Sequence, residues 1–211
     1  MRQGETIASI AVENKFRRFE TIWDDGENKP LRDLRKNPNV LEPGDIVMIP
    51  DRDESSKSAA TGARHTYFTT SLTQRLLIRC ESPRGTPLAS KPYKLTIDGA
   101  DFSGTTKSDG MVEHDIPVRS KTGRLEIEGS IWPLDLGFLN PVDEETKDDG
   151  ISGAQGRLRN LGYYFGPVNG KGSDAFTNAL SAFETEEKLS VTGTGEVSSA
   201  TAKRLRERHG C

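Results

Sequence analysis

The sequence predicts a multidomain α+β chain: a short helix–strand module, a small all-β sandwich and a three-helix bundle in series. Three observations predict it. Only 33% of the 211 residues are hydrophobic, below the roughly 45–50% of an average globular domain, so several small cores are expected rather than one large one. The apolar period runs helical, then alternating, then helical again. Two polar stretches, 51–63 and 143–150, fall between these textures, so the expected domains are residues 1–50, 64–142 and 151–211.

In residues 1–50, Ile7, Ile10 and Ala11 give a helix one apolar face, with Thr6 placed to cap it. Pro43-Gly44 then turns the chain into an alternating strand, Asp45–Ile49, in which Ile46 and Met48 share a face. Residues 51–63 are rich in Ser, Ala and charge and read as a linker. Strands are expected at 74–80, 93–98, 111–116 and 125–128, separated by Pro83-Arg84-Gly85, Asp98-Gly99, Asp109-Gly110 and Lys121-Thr122-Gly123. Short strands punctuated by such turns argue for a sandwich. The apolar segment 131–141, which carries Trp132, reads as a strand packing that sandwich against the helices. After the acidic linker 143–150, Gln155, Leu158 and Leu161 share a helical face that Gly162 ends. Ala175, Ala179, Leu180 and Phe183 mark a second helix, and a third starts behind Ser198 or Ser199 as N-cap.

Charge and hydropathy exclude several classes. Lys+Arg 29 against Asp+Glu 32 gives −3, so there is no electrostatic case for nucleic acid. No apolar run approaches the roughly 20 residues that cross a bilayer, so no membrane insertion is expected. The opening residues lack an apolar stretch of signal-peptide length. The expectation is cytoplasmic synthesis, with delivery to the periplasm or outside by a secretion machine. Two cysteines are too few for a disulfide scaffold, and Cys80, ending the run Leu76-Leu77-Ile78, reads as a buried thiol.

The first fifty residues resemble a LysM module, a β-α-α-β fold. The resemblance rests on Gly4-Glu5-Thr6, the helix after it, and Leu41-Glu42-Pro43-Gly44-Asp45-Ile46-Val47-Met48-Ile49-Pro50. It implies binding of N-acetylglucosamine-containing glycans, with Gly4, Glu5, Thr6, Asn39 and Leu41 as candidate contacts. The charged middle, Trp23 to Pro38, looks more like LysM modules beside contractile injection and type VI secretion components. The family normally has a strand before the Gly-Asp-Thr turn, and only Met1, Arg2 and Gln3 precede it here. The expectation is either that the sequence starts late or that Asp45–Ile49 has an unpaired edge, open to a strand from a partner.

Residues 151–209 resemble the peptidoglycan-binding three-helix domain of cell-wall hydrolases. The match lies in Gly153-Ala154-Gln155, Arg157-Leu158, Leu161-Gly162-Tyr163-Tyr164, Gly166-Pro167-Val168-Asn169-Gly170, Ala179-Leu180, Phe183-Glu184 and Val191-Thr192-Gly193. Asn169 and Glu184 stand where that family often has Asp and Gln. Leu158, Leu161, Leu180 and Phe183 read as core, whereas Gln155, Tyr163, Tyr164 and Asn169 are candidate ligand contacts, since aromatic edges and amides suit sugars and peptides. In the middle, Gly104–Val112 with Ile116-Pro117 is similar to transthyretin-like β-sandwiches and to small β domains near type VI spike proteins.

No catalytic constellation stands out. His65, His114 and His209 lie in unlike contexts, and no His-Glu-x-x-His, Gly-x-Ser-x-Gly or phosphate-cradling loop occurs. Carboxylate pairs such as Asp24-Asp25 and Asp148-Asp149 sit in polar company and read as solvated charge. Cys80, His114, His209 and Cys211 are weak metal candidates without Cys-x-x-Cys spacing, so neither metal nor cofactor is expected. The reading is a non-catalytic peptidoglycan- or glycan-binding adaptor or cargo protein linked to an injection apparatus, with a spike, baseplate or effector protein as a further partner. Alternatives are a wall hydrolase or toxin with an unfamiliar site, and a purely structural component docked to a spike or baseplate.

Overall fold

The structure is a computed structural model that describes residues 1–2, 4–52, 58–66, 72–82, 84–143 and 146–210. Gln3, residues 53–57 of the first polar stretch, residues 67–71, Pro83 of one expected turn, Glu144-Glu145 and Cys211 lie outside the described residues. The fold is mixed α+β, with two small antiparallel sheets and three helices near the C-terminus. The chain forms two compact units. One comprises Met1–Thr6, Pro30–Ile46 and Gly137–Cys211; the other comprises Ile7–Lys29 and Val47–Leu136.

The N-terminal segment is helical: α1 (Ile7–Glu13), α2 (Glu20–Trp23), a 3₁₀ turn at Gly26–Asn28, and α3 (Lys29–Arg35). Ile7, Ala8, Ile10 and Ala11 of α1 are buried, as their spacing requires. The strand expected at Asp45–Ile49 does not form, and among the described residues 1–50 there is no strand at all. Ile46, expected to share a strand face with Met48, is 78% exposed. The physical reason is the lack of a partner ladder. Met48 pairs with the side-chain amide of buried Asn28, which accepts from Met48 N at 2.8 Å and donates to Met48 O at 2.7 Å. One amide thus occupies the place of a neighbouring strand, and the β half of the expected LysM-like module is not formed.

The sandwich has six strands: β1 (Thr73–Arg79), β2 (Pro92–Ile97), β3 (Ala100–Thr105), β4 (Met111–Pro117), β5 (Thr122–Ile127) and β6 (Ser130–Asp135). β1 pairs with β4, and the larger sheet has the order β3-β2-β5-β6. Leu95, Ile97, Val112, Ile116, Leu125 and Ile127 form the shared core with Cys80 and Leu136. β3 is a strand that the alternation did not announce, and β6 is the part of the expected 131–141 strand that forms. Both follow two-residue turns, Asp98-Gly99 and Glu128-Gly129, in which all four φ angles are positive, the signature of type I′ hairpins.

These two hairpins are copies of one pattern. Leu95-Thr96-Ile97-Asp98-Gly99-Ala100-Asp101-Phe102 is matched by Leu125-Glu126-Ile127-Glu128-Gly129-Ser130-Ile131-Trp132. Their register is self-complementary: Leu95 faces Leu125, while Tyr93 faces Ile127 and Ile97 faces Gly123. A pseudo-twofold axis therefore passes through the Leu95–Leu125 pair, making Phe102 and Trp132 equivalent positions.

The segment 131–141 does not form one strand. Its first part is the edge strand β6, and Leu136 joins the sandwich core. Its last residues belong to the helical unit, where Arg157 Nη1 donates to Asn140 O at 2.8 Å and Val142 enters the helical core.

That core sits between α4 (Ile151–Asn160), α5 (Asp174–Glu186) and α6 (Ser199–His209) and includes Ala154, Leu158, Phe176, Leu180, Phe183 and Leu205. Ser173 and Ser198 cap α5 and α6 by accepting from Phe176 N and Thr201 N, as expected of Ser ahead of an apolar run. Gly153 is demanded by close approach: a Cβ there would fall on the carbonyl of Pro141. No helix among the described residues is long and apolar enough to cross a membrane.

Candidate glycan-contacting surface

The α4–α5 loop is shaped from beneath by Gln155. Its side chain is wholly buried. Its Oε1 accepts from Asn169 N at 2.9 Å and Gly170 N at 3.0 Å, and its Nε2 donates to Lys171 O at 2.8 Å. The amide is thus spent on the fold, where it replaces water for three backbone groups. Tyr164 is buried too, edge-on to Phe176 at 6.0 Å, with its hydroxyl donating to Pro167 O at 3.1 Å. A Cβ on Gly166 would collide with the Tyr164 ring, so Gly there lets the loop fold over that ring.

Tyr163 is half-buried and meets Phe183 edge-on at 5.5 Å. Its phenol is pushed up to about 12, by burial first and then by its hydrogen bond to Glu186 and that residue's charge. It is a neutral hydroxyl at physiological pH. Asn169 lies on the exposed crest of the loop, and its Oδ1 accepts from Lys171 N at 3.0 Å. Of the four expected contacts in this domain, burial removes Gln155 and Tyr164 from the surface and leaves Tyr163 and Asn169 on it.

Sequence reasoning passed over Phe165, the large apolar side chain that this loop leaves most open. With its neighbours folded under, Phe165 is 89% exposed, and Val168 beside it is also open. That leaves an aromatic face open to solvent on a loop held by the Gln155 and Tyr164 hydrogen bonds. The available signal was a third consecutive aromatic where two suffice for the core.

Glu184 is fully buried, its carboxylate accepting from Thr201 Oγ1 at 2.8 Å and Thr192 N at 3.0 Å. It fixes the α5–α6 connection. His209 is held in neutral form, with a pKa lowered to about 4 by burial and then by the Arg157 charge, and its Nε2 lies 2.9 Å from Asn160 Nδ2.

The remaining candidates belong to the segments 1–6 and 30–46. Leu41 and Thr6 are buried, Gly4 takes a left-handed turn, Glu5 pairs with Arg2, and Asn39 is exposed. The turn they flank is organised by Arg35, whose Nη2 reaches Glu42 and Asp45, both at 2.8 Å. Burial opposes the Arg35 charge, but the two carboxylates outweigh it and raise its pKa. The second oxygen of Glu42 accepts from Lys147 N at 2.9 Å, and Lys147 Nζ donates to Pro43 O at 2.7 Å. The expected acidic linker is thereby tied down, with Asp143 paired to Arg206 as well.

Cys80 is buried, and burial pushes its thiol pKa up. His114 bonds the Tyr93 hydroxyl at 2.8 Å. Among the described residues no group of three or more His, Cys, Asp or Glu could hold a metal ion.

Comparison with known families matches residues 147–205 to the "Putative peptidoglycan binding domain". Comparison with curated proteins and with solved structures gives no match. The matched span begins at Lys147 and contains α4, α5 and most of α6, so this chain carries a peptidoglycan-binding domain at residues 147–205.

Proposed function

We propose that the protein is a non-catalytic peptidoglycan-binding adaptor whose contact with the wall is the α4–α5 loop. The observation that carries this reading is Phe165, 89% exposed on a loop that Gln155 and Tyr164 hold rigid, within the segment matched to the peptidoglycan-binding family. The flat ring offers its face to the C–H surface of a sugar, Val168 extends the apolar patch, and the Asn169 amide is positioned for an N-acetyl or peptide group.

The adaptor part of the reading is supported by how the reactive side chains are used. His114 is bonded to Tyr93, His209 to Asn160, and Glu184 to Thr192 and Thr201. Each serves the fold. The association with an injection apparatus, and delivery by it to the wall, is supported by the resemblance of the charged N-terminal segment to modules found beside such machines. Sedimentation with purified sacculi tests the reading. The full chain pellets and releases no soluble fragments, whereas Phe165→Ala binds the sacculi several-fold more weakly. Fragment release, or wild-type binding by the Phe165→Ala variant, overturns it.

A further inference from the structure

The pseudo-twofold axis of the larger sheet relates two aromatic residues whose surroundings differ. Phe102 and Trp132 occupy the same position in the two hairpins, opposite Leu95 and Leu125. Side chains directly opposite across a ladder share a face, and Leu95 and Leu125 are both buried in the sandwich core. Both rings therefore lie on the inner face of the sheet. Phe102 is covered there by the His114 ring of β4, with centroids 5.1 Å apart. Trp132 is 54% exposed.

The equivalent site shows what fits: a flat ring set against the aromatic face. The free edge of β6 shows how it must approach. In a two-residue hairpin the residues flanking the turn form the first hydrogen-bonded pair, so Ser130, Trp132 and Leu134 bond to β5. Ile131, Pro133 and Asp135 then point their backbone groups outward. Pro133 has no N–H, which breaks the row of donors an added strand would need. An edge-on peptide strand is disfavoured, and a ring approaching face-on is not. Backbone pairing at Trp132 also fixes the platform before any ligand arrives, which lowers the ordering cost of binding.

We propose that Trp132 is a second sugar-stacking site, taking a pyranose ring of an N-acetylglucosamine-containing glycan strand. This rests on the wall-binding reading above, and it makes the chain bivalent toward one polymer. Two weak contacts on one chain raise apparent affinity by converting the second binding event into an intramolecular one.

The test uses the full chain, which has two tryptophans, Trp23 and Trp132. Their indole N–H signals are followed by NMR during titration with N-acetylglucosamine tetramer, the Trp132 signal being assigned with Trp132→Phe. The expected result is movement of the Trp132 signal with Trp23 unmoved. In sacculus sedimentation, Trp132→Ala should weaken binding roughly three- to tenfold with an unchanged melting temperature, and Trp132→Phe should retain most of it. An unmoved Trp132 signal, or wild-type sedimentation by Trp132→Ala, overturns the proposal. If Phe165→Ala alone abolishes sedimentation, the second site falls and the first stands. If the wild-type chain does not sediment while the Trp132 signal still moves, the second site stands and the α4–α5 loop reading falls.

Discussion

Gln155 and Asn169 are joined by a 2.9 Å hydrogen bond in which a wholly buried side chain accepts the backbone N–H of an exposed loop crest. The same oxygen also takes Gly170 N, and the amide nitrogen donates to Lys171 O. Replacing Gln155 with Ala leaves two backbone donors and one acceptor without their side-chain partner. The expected loss is about 2–4 kcal/mol in denaturant unfolding. Sacculus binding should fall as well, because the loop that presents Phe165 loses its support.

Phe165 gives the opposite pattern. Since 89% of it faces solvent, Phe165→Ala should change stability by no more than about 0.5 kcal/mol. Its effect should appear in binding, as a loss of about 1 kcal/mol or roughly fivefold in sacculus affinity. A variant that unfolds but binds normally would reverse the roles assigned to Gln155 and Phe165.

The two glycines of α4 separate steric need from helix propensity. Alanine favours a helix interior over glycine by about 1 kcal/mol. At Gly156 the added Cβ would meet the flexible tip of Leu139 at 3.1 Å, so Gly156→Ala should be close to neutral. At Gly153 it would strike the Pro141 carbonyl, and backbone cannot step aside. Gly153→Ala should therefore cost about 3 kcal/mol or more, read as a lowered melting temperature.

His209 imposes an acid dependence of a definite sign. Its pKa is about 4 in the folded chain against an ordinary 6.5. Below pH 6.5 the unfolded chain binds a proton that the folded one refuses, so stability is full above that value and declines as pH falls toward 4. His209 is partly exposed at the surface, so solvent screening keeps the effect on the order of 1–2 kcal/mol. Unfolding measured from pH 7.5 to 4.5 should show a shallower decline for His209→Asn than for the parent chain.

What was readable in advance was local. Ser198 announces a helix start because a cap acts within three residues. Asp98-Gly99 announces a hairpin because a type I′ turn needs two residues tolerant of positive φ. β3 escaped, and the bounds of β6 were missed, because both are edge strands with mostly exposed side chains, so their hydrophobicity carries no alternation. Asp45–Ile49 misled for a related reason: its alternation is real, but a strand also needs a neighbour, and Asn28 supplies only one amide.

The sequence by itself determined the helices of the C-terminal domain with the cap of the last one, the main turns of the sandwich and the match of residues 147–205 to the peptidoglycan-binding domain. Only the tertiary structure decided which of three adjacent aromatics, Tyr163, Tyr164 and Phe165, meets solvent, and which of the equivalent pair Phe102 and Trp132 lies open. Caps and turns are set by groups a few residues apart. Exposure is set by whatever covers a side chain, and that cover comes from distant positions, such as Phe176 over Tyr164 and His114 over Phe102.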